Sequence, residues 1–189
     1  DALLTEAFAL LATEPREVEG VSPADLASRK VAAIRLIAHA AGAEGMVGGQ
    51  AIDLRAAASD AEPLDADRLK DMHARKTGAL IRAATLAGAT MAGATEAQCA
   101  AVAEYAAHVG LAFQIVDDIL DVEGASADLG KTVGKDAAAG KPTYPSLYGL
   151  ERSKQLASEC ITNALAALER GSLSGQLPAL ARWVTDRHS

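Results

Sequence analysis

Aromatic residues are scarce here: two phenylalanines, three tyrosines and one tryptophan make up 3% of 189 residues. Apolar residues nevertheless reach 50%, with alanine supplying much of that count, so helices packed at close range are expected rather than a core of large rings. Cysteine is nearly absent too. Cys99 and Cys160 lie far apart, with no His or Cys neighbour at metal-ligand spacing, which excludes a disulfide scaffold and a zinc site and leaves two reduced thiols of a cytoplasmic protein. Basic charge is in deficit at a formal net −7, which does not suggest a nucleic-acid or anionic-membrane partner. No uninterrupted apolar run of about 18 residues occurs, so no transmembrane helix is expected, and the N-terminus lacks a basic-then-apolar signal pattern.

There are no internal repeats and no low-complexity linker, so residues 1–189 are expected to form one domain with a sizeable core. The first residues run straight into DALLTEAFALLA, where Leu3, Leu4, Ala7, Phe8 and Leu11 already form an apolar stripe and no N-cap precedes them. That start is expected of a chain cut from something longer.

Local signals place the helices. The first should end near Thr13, before Pro15. Ser22 is a good N-cap with Pro23 at the first helical position, and the second helix should run to about Ala41, bury Ala27, Val31, Ile34 and Ala38, and stop at Gly42. Gly48 and Gly49 then interrupt a helical pattern at a penalty of about 1 kcal/mol each. Such a pair marks the close approach of another backbone or of a ligand, tight helix packing being the simpler reading. Gln50 and Asp53, three apart, share a face.

After the loop in SDAEPLDADRLK, Leu69, Met72, Leu80 and Ala83 form one stripe, and Lys76 lies on it. An inward ammonium is unfavourable unless an anion meets it, although a snorkelling lysine beside a packing glycine gives the same pattern. Thr77 and Gly78 follow at once, and such a pair should kink or loosen the helix there, leaving the Lys76 carbonyl free to face a cavity. Gly88–Ala94 is expected to be a small-residue turn, with Thr95 capping the next helix.

That next helix ends in GLAFQIVDDILD. Val102, Tyr105, Val109, Val116 and Leu120 make its apolar stripe. At roughly 100° per residue, Asp117 and Asp121, Asp118 and Asp121, and Gln114 one turn earlier gather on another face. Crowded carboxylates repel by a few tenths of a kcal/mol per pair, and a divalent cation reverses that sign; hard oxygens with room for water suit Mg²⁺. A solvated acidic helix end is the plainer alternative. The following irregular stretch, EGASADLGKTVGKDAAAGKPTYP, carries Lys131, Lys135 and Lys141 among glycines. An anionic partner bridged by Mg²⁺ would use both charge sets, and a flexible polar loop would look the same. Helices over about Leu147–Arg170 and Leu177–Asp186 should serve as bundle walls without chemistry.

Four segments, GGQAIDL, HARKTGALI, GLAFQIVDDILD and LGKTVGKDAAAGKPTYPSLYGLE, occur in an order and spacing that resemble short-chain trans-prenyl diphosphate synthases of the farnesyl and geranylgeranyl type, most of all the bacterial farnesyl branch. The resemblance spans essentially the whole chain. It implies an all-α bundle around a central cavity, and a cytoplasmic homodimer whose interface lies near residues 1–13 and 22–41. The implied reaction joins an allylic diphosphate, dimethylallyl or geranyl, to isopentenyl diphosphate and releases pyrophosphate. By the same resemblance, three Mg²⁺ ions bridge the allylic diphosphate to two aspartate-rich motifs. Asp117 would ligate metal directly, with Asp118 and Asp121 acting through metal-bound water. Lys76, Lys131 and Lys141 would contact diphosphate, Gln114 would line the substrate site, and Thr77, Gln114 and the Lys76 carbonyl would stabilise the allylic cation. The first aspartate-rich motif and the isopentenyl diphosphate site are absent from this sequence and would be expected ahead of Asp1. Product length is therefore not legible, and 189 residues alone are expected to be inactive. The rival reading is a non-enzymatic helical subunit that associates with a full-length homologue.

Overall fold

The computed structural model describes residues 2–13, 17–58, 64–127 and 143–187. Among them the chain is all-α, with no strand. The helices are α1 (Ala2–Ala12), α2 (Pro23–Ala41), α3 (Met46–Ala56), α4 (Ala66–His73), a π-helical turn (Ala74–Gly78), α5 (Ala79–Met91), α6 (Glu96–Ala127), α7 (Tyr144–Tyr148), α8 (Leu150–Arg170) and α9 (Leu177–Asp186).

The starts follow capping chemistry. Ser22 Oγ accepts from the Asp25 N–H at 3.1 Å and Asp65 Oδ1 from that of Arg68 at 2.8 Å. Thr95 and Gln98 bond reciprocally at 3.2 and 2.9 Å, satisfying two otherwise orphan donors of α6. Gly42 closes α2, its N–H on the His39 carbonyl.

The long α6 is the axis of the bundle, flanked by α5 and α8. Its buried Tyr105, Ala106, Val109, Ala112, Ile115, Val116 and Ile119 meet Leu69 and Met72 of α4, Ala157, Ile161, Ala164 and Leu168 of α8, and Ala181 and Val184 of α9. Ala106, Ala112, Ala164, Ala167 and Ala181 are fully buried, so small residues let the helix axes approach, as the composition implied. The Tyr105 hydroxyl donates to the Leu177 carbonyl at 2.8 Å, fastening α9 to α6. Residues Glu96–Gly124 are long and apolar enough to cross a membrane by length and composition, but half of that window is buried inside the bundle.

Four local expectations need correction. On α2 the buried residues are Leu26, Ala33, Ala40 and Ala41, whereas Val31 is 58% exposed; alanines on several sides of this helix blur its polarity. α5 runs through Gly88 to Met91 instead of turning there, because one interior glycine costs only about 1 kcal/mol and Ala83 and Ala87 of the same helix are packed. α6 continues past Val122 to Ala127. α8 starts at Leu150, not Leu147, because Gly149 at φ 80 separates it from the short α7.

Candidate functional site

The helix-loosening expected at Thr77–Gly78 is a π turn over Ala74–Gly78, the wide i→i+5 geometry that recurs at functional sites. Two glycines grip it. A Cβ on Gly49 of α3 would stand 2.3 Å from the Lys76 backbone nitrogen and 2.6 Å from its Cα. A Cβ on Gly110 of α6 would stand 3.0 Å from Gly78 Cα. Both readings of the Gly48–Gly49 pair needed a close neighbour; for Gly49 it is the backbone that carries Lys76.

Lys76 meets its anion inside the chain. Its Nζ lies 2.5 Å from Asp53 Oδ2, with Asp53 10% and Lys76 33% exposed at the side chain. The face shared by Gln50 and Asp53 was legible; that Asp53 would be the partner of Lys76 was not.

At the acidic end of α6 the three aspartates have different surroundings. Asp117 is 41% exposed at the side chain. Gln114 Nε2 donates to its Oδ2 at 3.3 Å, and the Arg187 guanidinium pairs with its Oδ1. Asp118 accepts the Tyr144 N–H at 2.8 Å, holding the first turn of α7 beside α6. Asp121, one turn beyond Asp117, is exposed. Among the described residues no three carboxylate, imidazole or thiol groups already converge on one point. Asp117 and Asp121 nonetheless offer hard oxygens one turn apart with solvent access for water ligands, which fits Mg²⁺ completed by substrate oxygens.

Tyr144 packs between His73 and Tyr148, with ring centroids 5.9 Å apart in each pair. Burial pushes its hydroxyl up to about 12, with Tyr148, Cys160 and Asp118 adding to the effect. A cavity of about 1030 Å³ opens between α2, α5 and α6, lined by Leu36, His39, Arg82, Leu86, His108 and Leu111. Gly78 and Ala79 belong to its wall, but Lys76, Thr77, Gln114 and Asp117 do not, so the charged site lies beside this hollow. Lys131 and Lys141 lie outside the described residues. Arg187 had no sequence signal beyond its place after α9.

The fold and the motif set make the chain a member of the polyprenyl synthetase family, whose sequence model matches residues 1–173. It is 42% identical over 193 residues to the farnesyl diphosphate synthase of Escherichia coli, covering all of this chain and 62% of that protein. It is 40% identical over 191 residues to geranylgeranyl pyrophosphate synthase 7, chloroplastic, of Arabidopsis thaliana, covering 100% of this chain and 53% of the relative. Among solved structures, the geranyltransferase from Helicobacter pylori complexed with magnesium and isoprenyl diphosphate superposes with a TM-score of 0.73 at 28% identity, over 98% of this chain and 57% of that one. The chain thus spans between about half and two thirds of the length of these relatives.

Proposed function

We propose that this chain is the part of a prenyltransferase that binds and ionises an allylic diphosphate, dimethylallyl or geranyl, for condensation with isopentenyl diphosphate. The product is farnesyl diphosphate or a similar short-chain prenyl diphosphate, and pyrophosphate is released. The observation that carries this reading is the pairing of a lysine fixed on a π turn with a Gln114–Asp117 face on the helix packed against that turn. Names of relatives that match the whole chain support it, and a magnesium-bound structural relative supports the metal.

Asp117 and Asp121 would hold Mg²⁺, with Asp118 contributing through water; three ions are expected in the complete site. When bound, Mg²⁺ neutralises charge on the diphosphate leaving group. Lys76 would exchange Asp53 for a diphosphate oxygen, its side chain two-thirds buried and held in place by that carboxylate before substrate arrives. Lys131 and Lys141 would add to that diphosphate contact. Gln114 donates one amide N–H to Asp117, which leaves its carbonyl oxygen available to the allylic cation. The Thr77 hydroxyl and the Lys76 carbonyl add two further oxygen dipoles along the same path. The pyrophosphate released is the base that removes the final proton.

Asp117→Asn in the full-length protein should lower turnover of an allylic diphosphate with isopentenyl diphosphate by about a thousandfold or more, with circular dichroism unchanged. Turnover within a few-fold of the parent would overturn the metal role. The partner would be a second copy of the chain, in the cytoplasm: Leu3 and Leu10 of α1 and Val31 of α2 are 87, 63 and 58% exposed, apolar surface of the kind that obligate interfaces cover.

A further inference from the structure

Arg187 follows α9, its N–H on the Trp183 carbonyl at 3.2 Å. Its side chain turns back to α6 and is only 13% exposed. One nitrogen, Nη2, serves two acceptors there: the Phe113 carbonyl at 2.9 Å and Asp117 Oδ1. The guanidinium carbon stands 3.9 Å above the centre of the Phe113 ring. Nε is buried with no hydrogen-bond partner.

An arginine kept only as a staple would have its buried donors satisfied, since an unmade buried bond is unfavourable. This one is incompletely satisfied, and the carboxylate it holds keeps the most solvent access of the pair. Its grip on Phe113 does not need Asp117. The same Nη2 can release the carboxylate and stay on the carbonyl and ring.

We propose that Arg187 is a counter-ion latch: it neutralises Asp117 while the site is empty and yields that oxygen to the divalent cation that enters with diphosphate. This rests on the metal role of Asp117 given above. Arg187 competes with an incoming cation for Asp117 Oδ1 and repels it there, so Arg187 weakens metal binding in the absence of diphosphate and ties loading of the site to substrate.

The test is Mn²⁺ binding to the full-length protein without diphosphate, followed by electron paramagnetic resonance. Arg187→Gln should bind Mn²⁺ about fivefold more tightly than the parent, the size expected of a partly exposed ion pair. Arg187→Lys, which keeps the charge and folds under milder change, should remain near the parent. If Asp117→Asn abolishes Mn²⁺ binding while Arg187→Gln leaves it unchanged or weaker, the latch is wrong and the metal site stands. If Asp117→Asn binds Mn²⁺ like the parent, the metal role and the latch fall together.

Discussion

Replacing Gly49 by alanine probes the contact that positions Lys76. The added Cβ would lie 2.3 Å from the Lys76 nitrogen, 2.6 Å from its Cα and 2.8 Å from its Cβ, where 3.4 Å is the near edge of ordinary contact. All three obstacles are backbone or next to it, so no flexible side chain can swing away. α3 and the π turn must part by about 1 Å, and overpacking of that kind costs about 1–3 kcal/mol, the backbone clash placing it at the upper end. Alanine's better helix propensity returns about 1 kcal/mol. Gly49→Ala should therefore lose about 2 kcal/mol in urea denaturation of the full-length protein. The same shift separates Lys76 from Asp53, and on the proposed function a 1 Å misplacement of that group should lower allylic diphosphate turnover by about a hundredfold. Gly88→Ala is the control: nothing lies within 4 Å of its added Cβ, so it should gain about 1 kcal/mol from propensity alone. A Gly49→Ala protein as stable and active as the parent would refute the close-approach argument, most clearly if Gly88→Ala behaves as expected.

Two further outcomes are expected. Tyr144 is displaced from 10.0 to about 12, so between those values the unfolded chain loses a proton that the fold retains; stability is unaffected below pH 10 and falls by about 2–3 kcal/mol as pH rises toward 12. Urea titrations at stepped pH should show that slope, with burial of Tyr105 adding to it, and Tyr144→Phe should flatten it; an equal slope in the variant would exclude Tyr144 as its source. If α1 and α2 carry a dimer interface, Leu10→Glu with Val31→Glu should convert a sedimenting dimer to monomer without loss of helix, and a dimer that persists would place the interface elsewhere.

Which features could be read from the sequence depended on the range of the interaction behind them. Ser22 and Thr95 are local capping signals, decided within one turn, and they are where the residue pattern put them, whereas the aspartates of α6 lie more than a turn before the helix end at Ala127, which the pattern placed at Val122. The loosened turn at Thr77–Gly78 was legible for the same reason. Lys76 was half legible: an inward ammonium demanded an anion, but the choice of Asp53 depends on Gly49 bringing α3 against the π turn, 23 residues away in the chain. The buried side of α2 was misread because alanine contributes little contrast between faces, so Leu26, Ala33 and Ala40 do not stand out from Ala27, Val31, Ile34 and Ala38.

Arg187 is the extreme case. Its link to Asp117 spans 70 residues and leaves no periodic trace, and it lies beyond a helix whose own pattern is that of a plain bundle wall. Yet the physics that made Lys76 conspicuous applies to Asp117 as well. A partly buried charge needs a counter-charge whether or not substrate is present. Each charge proposed to meet metal or diphosphate is therefore expected to have a partner of opposite sign within the chain. Asp53 fills that place for Lys76 and Arg187 for Asp117. On the proposed function, diphosphate would compete with Asp53 for Lys76 and metal with Arg187 for Asp117, so the two ion pairs would be exchanged together. Breaking either pair alone should alter ligand-free charge binding first, before any effect on chemistry is seen.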